Sequence, residues 1–346
     1  MRIMYCIAGE GRGHAFRTIP IYKYLMQQGH TVDLFAGDVS FDILKKYNVR
    51  RISSLRIAYN NNSVNDIKSV LKNVFRIPEH IMSIQKIAKY IIKEKPDVLI
   101  NDFETFSNYI AKIFGVPIIT VDNGSIITSA KCAVPIKFKI NAAKVKFVVS
   151  VLSPFASIRL IPTFFYPKNK NISAVYVPPV IRKEIIVSKP KVKSHILVYQ
   201  TSRTNHALIK SLRCFPFTKF ILYGFEINKQ AGNIEFVGHD QERFLRDLRD
   251  CNAVITNGGF TLMTEALALR KPILSLPVIG QFEQVLNALY LARLGFGMCS
   301  FSTNPLVIKN FLNQKERFRK KLCTFPKHSN KPFFDALDNA LKKYVN

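Results

Sequence analysis

The fold is decided by the stretch TNGGFTLMTEAL at residues 256–267. Its first residue ends a buried strand, its two glycines form a turn, and a helix is expected to begin at Phe260 or Thr261. Residues 272–276 then form the next buried strand. A Gly-Gly turn at a helix start lets backbone N–H groups approach an anion closely, and the helix dipole favours negative charge there. The pattern predicts a phosphate-binding turn.

Acidic and amide residues follow this turn in a regular order. Glu265 lies one turn into the predicted helix, within reach of the hydroxyls of a ribose. Glu283 and Gln284 follow the next strand. This order predicts a site for a nucleotide linked to a sugar: the turn would bind phosphate, Glu265 the ribose, and Glu283 and Gln284 the sugar.

Strand-like and helical patterns alternate along both halves of the chain. Strands are expected at residues 2–8, 31–36, 97–101, 117–121, 144–152, 195–200, 217–223, 234–237, 253–256 and 272–276. Helices are expected at 16–28, 67–94 with a break near Pro78, 105–114 and 284–294. Such alternation is typical of a parallel sheet that is covered on both faces.

The predicted fold class is therefore α/β, with two doubly wound Rossmann-like domains facing each other across a cleft. The first domain is expected at 1–178 and the second at 195–330. Residues 179–194, rich in proline and lysine, are predicted to link them. A terminal helix at 331–346 is expected to pack back on the first domain. Each domain should bind its ligand at the carboxyl ends of its strands.

Composition limits the partners and the compartment. The chain has 346 residues, 48% of them hydrophobic, and 51 Lys and Arg against 23 Asp and Glu, which gives a net charge of +28. This excess indicates an anionic partner such as nucleic acid, an acidic membrane or a phosphorylated substrate, unless lysine is simply abundant in the proteome. The six cysteines are scattered, and we find no signal peptide and no transmembrane run. We therefore expect a cytoplasmic protein, with peripheral membrane contact left open.

A second glycine loop, formed by Gly9, Gly11 and Gly13 with Arg12 between them, follows the first strand. Its GxGxG spacing differs from the GxGxxG fingerprint of dinucleotide-binding folds. Because Asp38 follows the second strand, where a ribose-binding acid would lie, a nicotinamide-binding alternative stays open.

His14 begins the helix after this loop, where an imidazole is placed to accept a proton from a hydroxyl. Asp102 closes the strand at 97–101 and is placed to orient it. The alternatives are that His14 caps its helix or contacts phosphate, and that Asp102 caps the helix at Thr105. In the second half, further candidates end the first and third strands: Thr201, Ser202, Gly238 and His239.

The run 238–297 resembles the donor-binding half of the GT-B nucleotide-sugar glycosyltransferases, and 9–18 is similar to their N-terminal glycine loop. The likeness is to the branch with the peptidoglycan lipid-linked N-acetylglucosaminyltransferase, the diacylglycerol glycosyltransferases and the plant-type UDP-glycosyltransferases. It implies inverting transfer from a UDP-sugar without a metal or another cofactor. By resemblance the ligands are the following: Gly258, Gly259, Phe260, Thr261 and Leu262 for the diphosphate, Glu265 for the ribose, and Glu283 and Gln284 for the sugar.

The same resemblance makes His14 the base and Asp102 its partner. The chain departs from the plant-type pattern at Asn257 and Phe260, where that group has a histidine and a tryptophan.

Basic and apolar residues alternate in Lys131–Lys170. An anionic bilayer would attract each lysine by about 1 kcal/mol, while apolar side chains enter the interface. The alternative is an ordinary half-buried strand.

The sequence thus predicts a glycosyltransferase acting on a hydroxyl acceptor, with a membrane lipid or lipid-linked glycan among the candidates. Two alternatives remain. One is a nucleotide-sugar 2-epimerase on the same fold, and the other is a non-catalytic basic scaffold that binds RNA or membranes. Nucleic acid is the less favoured partner because His14, Asp102 and Glu265 are placed for chemistry.

Overall fold

The structure, a computed structural model, describes residues 1–60, 63–201 and 205–344. The strands are β1 (Arg2–Ile7), β2 (Thr31–Gly37), β3 (Arg50–Ile52), β4 (Tyr59–Asn60), β5 (Ser63–Val64), β6 (Val98–Asp102), β7 (Ile118–Val121), β8 (Ala130–Lys131), β9 (Ile158–Pro162), β10 (Lys168–Asn169), β11 (Ala174–Val177), β12 (Ile196–Tyr199), β13 (Phe220–Tyr223), β14 (Lys229–Ala231), β15 (Ile234–Val237), β16 (Ala253–Thr256), β17 (Ile273–Ser275) and β18 (Gly297–Cys299).

The α-helices are α1 (Gly13–Gln27), α2 (Asp38–Leu44), α3 (Asp66–Val74), α4 (Ile77–Glu94), α5 (Thr105–Ile113), α6 (Ile126–Ser129), α7 (Lys139–Leu152), α8 (Lys183–Ile186), α9 (His206–Arg213), α10 (Gln241–Asp250), α11 (Phe260–Ala268), α12 (Phe282–Arg293), α13 (Pro305–Leu322) and α14 (Lys331–Leu341). Within the described ranges, none of the helices has both the length and the apolar content needed to cross a membrane.

The chain divides into two compact units. The first unit holds Met1–Ala58, Asn65–Arg182 and the segment from Ser329 onward, and the second holds Tyr59–Val64 and Lys183–His328. Tyr59–Val64 joins the second unit through a backbone hydrogen bond of 2.9 Å, which the Val64 N–H donates to the Ile279 carbonyl. Each unit has its own sheet, so the α/β class with two Rossmann-like domains is confirmed.

The sheet of the first unit runs in the order β11-β9-β7-β6-β1-β2-β3, with all neighbours parallel. Because β1 lies between β2 and β6, the strand order reverses direction between β1 and β6, and ligands of such sheets bind at this switch point. The strands are buried on both faces, which explains their continuous apolar runs.

The terminal helix α14 belongs to the core of the first unit. Phe333 and Leu337 are fully buried among strand residues such as Ile3. On the outer side, the Tyr24 hydroxyl donates to the Asp338 carboxylate at 2.5 Å, and the Tyr24 and Phe334 rings stack with centroids 4.0 Å apart.

The strand predicted at 144–152 is wrong, because this segment lies in helix α7. Its charges alternate with bulky residues, but Val145, Val149 and Leu152 also recur at helical spacing and form the less exposed side. No proline or glycine interrupts the segment before Pro154. In the two seven-stranded sheets, the edge strands β3, β11, β14 and β18 and the inner strand β9 were not predicted.

The sheet of the second unit runs β14-β15-β13-β12-β16-β17-β18, parallel except for β14 against β15. Its switch point lies between β12 and β16. The predicted linker residues are not an isolated connection: the Lys193 N–H donates to the Asp250 carbonyl at 2.8 Å. The buried Lys271 ammonium donates to the carbonyls of Lys191 (2.5 Å) and Cys251 (2.8 Å). These bonds fix the segment against the end of α10.

Candidate functional sites at the two switch points

The glycine loop of the first unit packs tightly where it leaves β1. The Gly9 N–H donates to the Ser54 hydroxyl at 3.0 Å. A Cβ on Gly9 would lie 2.8 Å from the Gly37 backbone, so a side chain there would displace the end of β2. Gly11 has φ +77° and open space around it. The loop is therefore anchored at one end and open at its middle.

His14 and Asp102 come together at this switch point. The His14 Nδ1 lies 2.7 Å from the Asp102 Oδ1, and the Asp102 side chain is fully buried. Helix α1 presents the imidazole, and Asp102 is the last residue of the neighbouring strand β6. The predicted pair is thus in contact, and the role of either residue in a reaction stays a proposal.

Arg17 is a third member of this cluster that the sequence reasoning missed. Its Nε donates to the Asp102 Oδ2 at 2.6 Å, and its terminal nitrogen donates to the Oδ1. The same nitrogen lies 2.8 Å from the His14 Nδ1. Residues i and i+3 share one face of a helix, so the spacing of His14 and Arg17 was the signal that could have found it.

The ionisation of Asp102 is set by opposing effects. Burial alone would raise the pKa of this carboxyl, but the Arg17 guanidinium and, after it, the His14 imidazole outweigh burial and lower the pKa below its usual value. Asp102 is therefore a carboxylate, which accepts hydrogen bonds and donates none.

The neighbouring acids behave differently. Burial raises the pKa of Asp122, which accepts hydrogen bonds from the Ser125 N–H at 2.6 Å and hydroxyl at 2.8 Å. Burial also raises the pKa of Glu104, whose side chain accepts from the Phe106 and Ser107 N–H groups and caps α5. Glu104, and not Asp102, therefore caps the helix that begins at Thr105.

Phe103 turns the chain directly after Asp102. Its φ of +58° lies in the left-handed region, which is rare for a bulky residue. Its ring stacks beside His14, with centroids 6.5 Å apart. Such strain persists where the surroundings hold it, often at functional sites.

Asp38 is engaged in ion pairs. Its carboxylate accepts from Arg56 at 2.6 Å and from Arg76 at 3.2 Å. Burial alone would raise the pKa of Asp38, but these two arginines hold it below its usual value. Asp38 is thus paired with two arginines, which favours a structural role for its carboxylate.

In the second unit, the predicted turn joins β16 to α11, which begins at Phe260 as expected. Gly258 has φ +92°, and a Cβ on it would lie 2.8 Å from the Ser275 hydroxyl and 3.0 Å from the Gln284 carbonyl oxygen. At Gly259 a Cβ would meet nothing within 4 Å. Of these two positions, only 258 has no room for a side chain. Gly259 leaves space beside the start of α11.

Asn257 connects the strand ends at the second switch point. Its Oδ1 accepts from the Thr201 N–H at 2.7 Å, and its Nδ2 donates to the Leu276 carbonyl at 3.0 Å and to the Gln200 Oε1 at 3.2 Å. It thereby ties the carboxyl ends of β12, β16 and β17 together. In the sequence, Asn257 stands out only as a departure from the plant-type pattern.

The other candidates of the second unit differ in accessibility. Glu265, the expected ribose ligand, is only 1% exposed. Both polar atoms of the Gln284 side chain have internal partners: its Oε1 accepts from the Val278 N–H at 3.0 Å, and its Nε2 donates to Gln281. Glu283 is partly exposed.

At the end of β15, the Gly238 N–H donates to the Asn228 side chain at 2.8 Å, while His239 is exposed. Thr201 is exposed, and Ser202 lies outside the described residues. In the part of the chain that the structure describes, no three or more His, Cys, Asp or Glu side chains are grouped so as to hold a metal ion.

Two Rossmann-like units, each with a glycine turn at its switch point, are the arrangement found in the GT-B class of glycosyltransferases. The chain belongs to glycosyl transferase family 1, whose model matches residues 1–315. An uncharacterized glycosyltransferase of Methanosarcina mazei is 29% identical, over 93% of this chain and 92% of its own.

Solved structures of glycosyltransferases have the same fold. The glycotransferase of kitacinnamycin covers 100% of this chain and 99% of its own, with a TM-score of 0.67 and 13% identity. The spinosyn rhamnosyltransferase SpnG, complexed with thymidine diphosphate, covers 94% of this chain and 95% of its own, with a TM-score of 0.62 and 15% identity. At such identities the likeness concerns the fold alone.

Proposed function

We propose that the protein is an inverting, metal-independent glycosyltransferase that moves a hexose from a UDP-sugar to a hydroxyl acceptor. The observation that carries this proposal is the contact of 2.7 Å between the His14 Nδ1 and the buried, ionised Asp102. A histidine held in this way at the carboxyl end of a parallel sheet is suited to act as a general base.

In the proposed mechanism, the His14 Nδ1–H donates to Asp102, which leaves the Nε2 lone pair for the acceptor hydroxyl. As that oxygen attacks the anomeric carbon, its proton passes to Nε2 and the bond from the sugar to the nucleotide diphosphate breaks. Asp102 then stabilises the imidazolium. Arg17 holds Asp102 in place and ionised through two hydrogen bonds, so it acts as a positioning residue.

The donor is assigned to the second unit. The backbone of Gly258–Leu262, at the start of α11, would bind the diphosphate, because the N-cap residue Gly259 has no side chain to cover the helix start and the helix dipole favours negative charge there. These donors would also stabilise the charge on the departing diphosphate, a role for which no metal is required. Glu265 would accept from the ribose and Glu283 from the sugar. Gln284 holds the loop from Val278 and is assigned a supporting role.

The uracil preference comes from resemblance, and SpnG with its thymidine diphosphate supports a nucleotide donor in general. We place the enzyme in the cytoplasm, with a membrane lipid or lipid-linked glycan as the favoured acceptor class. The basic segment Lys131–Lys170 is the proposed contact with an anionic membrane, and nucleic acid is not proposed as a partner.

The test separates catalysis from donor binding. His14→Ala should lower turnover by about 10² to 10⁴-fold, because it removes the base, and leave UDP-sugar affinity measured by calorimetry nearly unchanged. His30→Ala is the matched control, since His30 lies at the other end of α1 beside the N-terminus. Full turnover by His14→Ala would refute the base assignment.

Three further readouts address the remaining parts of the proposal. Glu265→Gln should weaken UDP binding, and unchanged affinity would make Glu265 a structural residue. NMR of the product should show an inverted anomeric configuration. Turnover should persist with a chelator present, and its loss would refute metal independence.

A further inference from the structure

Helix α3 is attached to the first unit by its polar side. The Ser69 hydroxyl accepts from the Ala58 N–H at 2.9 Å. The Asn73 side chain makes two bonds to the Arg56 backbone, with its Oδ1 accepting from the N–H and its Nδ2 donating to the carbonyl, both at 2.9 Å. Ser69 and Asn73 are one turn apart, so they define the face that meets the protein.

The apolar side chains of the same helix point away from that face. Those at spacings of three and four residues are between 50% and 75% exposed: Ile67, Val70, Leu71 and Val74. No residue of α3 is buried. A surface helix ordinarily turns its apolar stripe to the core and its polar face to water, and α3 does the reverse. An exposed contiguous apolar stripe of this kind marks an interaction surface.

A second exposed stripe adjoins it. Ile136, Ile140 and Phe147, on α7 and the turn before it, are each 71% exposed or more. Lys144 of α7 forms an ion pair with Asp66, the first residue of α3, so the two helices are neighbours. We call the exposed apolar residues of 66–74 and 136–151 the α3–α7 surface.

The charged residues of this surface are almost all positive. Exposed lysines stand beside both stripes: Lys68, Lys72, Lys137, Lys139 and Lys146. Asp66 is the sole acid of 66–74 and 136–152, and it is paired with Lys144. A second copy of the chain would bring lysines against lysines. An anionic lipid bilayer has acyl chains below its phosphate groups, so it matches both the apolar stripes and the lysines.

We propose that the α3–α7 surface docks on an anionic bilayer, with α3 lying in the plane of the headgroups and its apolar side chains below them. The new element of this surface is α3, which lies outside Lys131–Lys170, while 136–151 lies within it. The inference therefore rests on the proposed function for the membrane contact of that basic segment and for placing the acceptor at a membrane. Docking would bring a lipid acceptor to the first unit without a membrane-spanning helix.

The chain contains no tryptophan, so a single introduced one reports on its own position. Leu71→Trp should shift its emission to shorter wavelength with vesicles of phosphatidylglycerol and phosphatidylcholine in equal parts, and not with phosphatidylcholine alone. Phe217→Trp, at a fully exposed position of the second unit, is the matched control and should not shift. An unshifted Leu71→Trp spectrum, or equal shifts at both positions, would overturn the proposal.

Co-sedimentation with the same vesicles gives an independent test. Ile67→Gln/Leu71→Gln should weaken binding by about tenfold or more, because two apolar side chains no longer leave water. The control pair Phe217→Gln/Leu306→Gln, also exposed apolar residues, should bind like the wild type. Equal binding by both pairs would refute docking. Light scattering that shows a wild-type dimer dissociated by Ile67→Gln/Leu71→Gln would identify a second copy as the occupant instead.

Calorimetry of UDP binding on the same variants keeps the two proposals apart. The α3 variants should bind UDP like the wild type. Vesicle binding by a protein that fails to bind UDP would refute the donor assignment and leave the docking surface standing.

Discussion

The two switch points have the same topology and different chemistry. In the first unit, α1 is joined to the end of β6 by the Asp102 carboxylate, which pairs with Arg17 and contacts His14. In the second unit, the ends of β12 and β16 are joined by neutral groups, the Asn257 amide with the Thr201 N–H and the Gln200 amide.

The difference suits the roles proposed for the two units. A buried carboxylate is costly unless it is paired, and it is useful where a proton must be taken up beside it. A neutral amide connection adds no negative charge near the turn at Gly258, where a diphosphate would have to bind. One fold thus supports either chemistry, according to which residues end its strands.

The largest expected effect concerns the charged connection. Arg17→Met or Asp102→Leu alone should lower the free energy of unfolding by about 3 to 5 kcal/mol, because each leaves its partner buried and unpaired. The double variant should lose less than the sum, since neither charge remains. Denaturant unfolding measures all three, and additive losses would show that the two residues act independently.

The exposed pair Lys331–Asp335 provides the control for this experiment. Lys331→Met should change stability little, because solvent screens that pair. The conservative Arg17→Lys adds a test of positioning: it keeps the charge but loses the two-bond geometry, so it should lower kcat more than it raises KM.

A smaller effect is expected at the neutral site. Gly258→Ala should destabilise the protein by about 2 to 4 kcal/mol, because it combines a left-handed backbone with contacts to Ser275 and Gln284 that are too short for a Cβ. Gly259→Ala is the matched control, with φ −59° and open space. Thermal unfolding followed by circular dichroism compares them, and equal melting temperatures would contradict the requirement for glycine at 258.

The smallest effect is a pH dependence that separates two acids of the first unit. The folded pKa of Asp102 is lowered, so its stabilisation is present above its unfolded pKa of about 3.9 and is lost as pH falls through the folded value. Burial raises the folded pKa of Asp122, so stability falls as pH rises from about 3.9 through that higher value.

Asp122→Asn should therefore remove a loss of stability that develops above about pH 4, while Asp102→Asn should remove a gain that develops below about pH 4, as unfolding curves from about pH 2 to 8 would show. Identical pH profiles for the two variants would contradict the opposite shifts.

The sequence predicted the features that depend on local pattern. The buried strands, the turn at Gly258, the start of α11 and the break near Pro78 follow from apolar runs, glycine and proline, and the structure has them. The contact of His14 with Asp102 followed from topology, because neighbouring parallel strands end at the same edge of the sheet.

What the sequence did not predict depends on tertiary partners. Helix α7 was predicted as a strand because lysines alternate with bulky residues at 144–147. The apolar residues Val145, Val149 and Leu152 fit a helix instead, and only the surroundings decide between the two patterns. Arg17 and Asn257 are ordinary polar residues until the strand ends meet around them. The internal bonds of Gln284 and the burial of Glu265 likewise depend on how α11 and α12 pack.

The position of α14 affects the order in which the chain folds during synthesis. Phe333 and Leu337 fill the core of the first unit, yet they are translated after all of the second unit. The first unit therefore emerges from the ribosome with a gap in its core. It stays incomplete until α14 has been made, although all residues of the second unit are already present by then. Folding from the N-terminus onward, the usual order for chains of several domains, is reversed here for the last step.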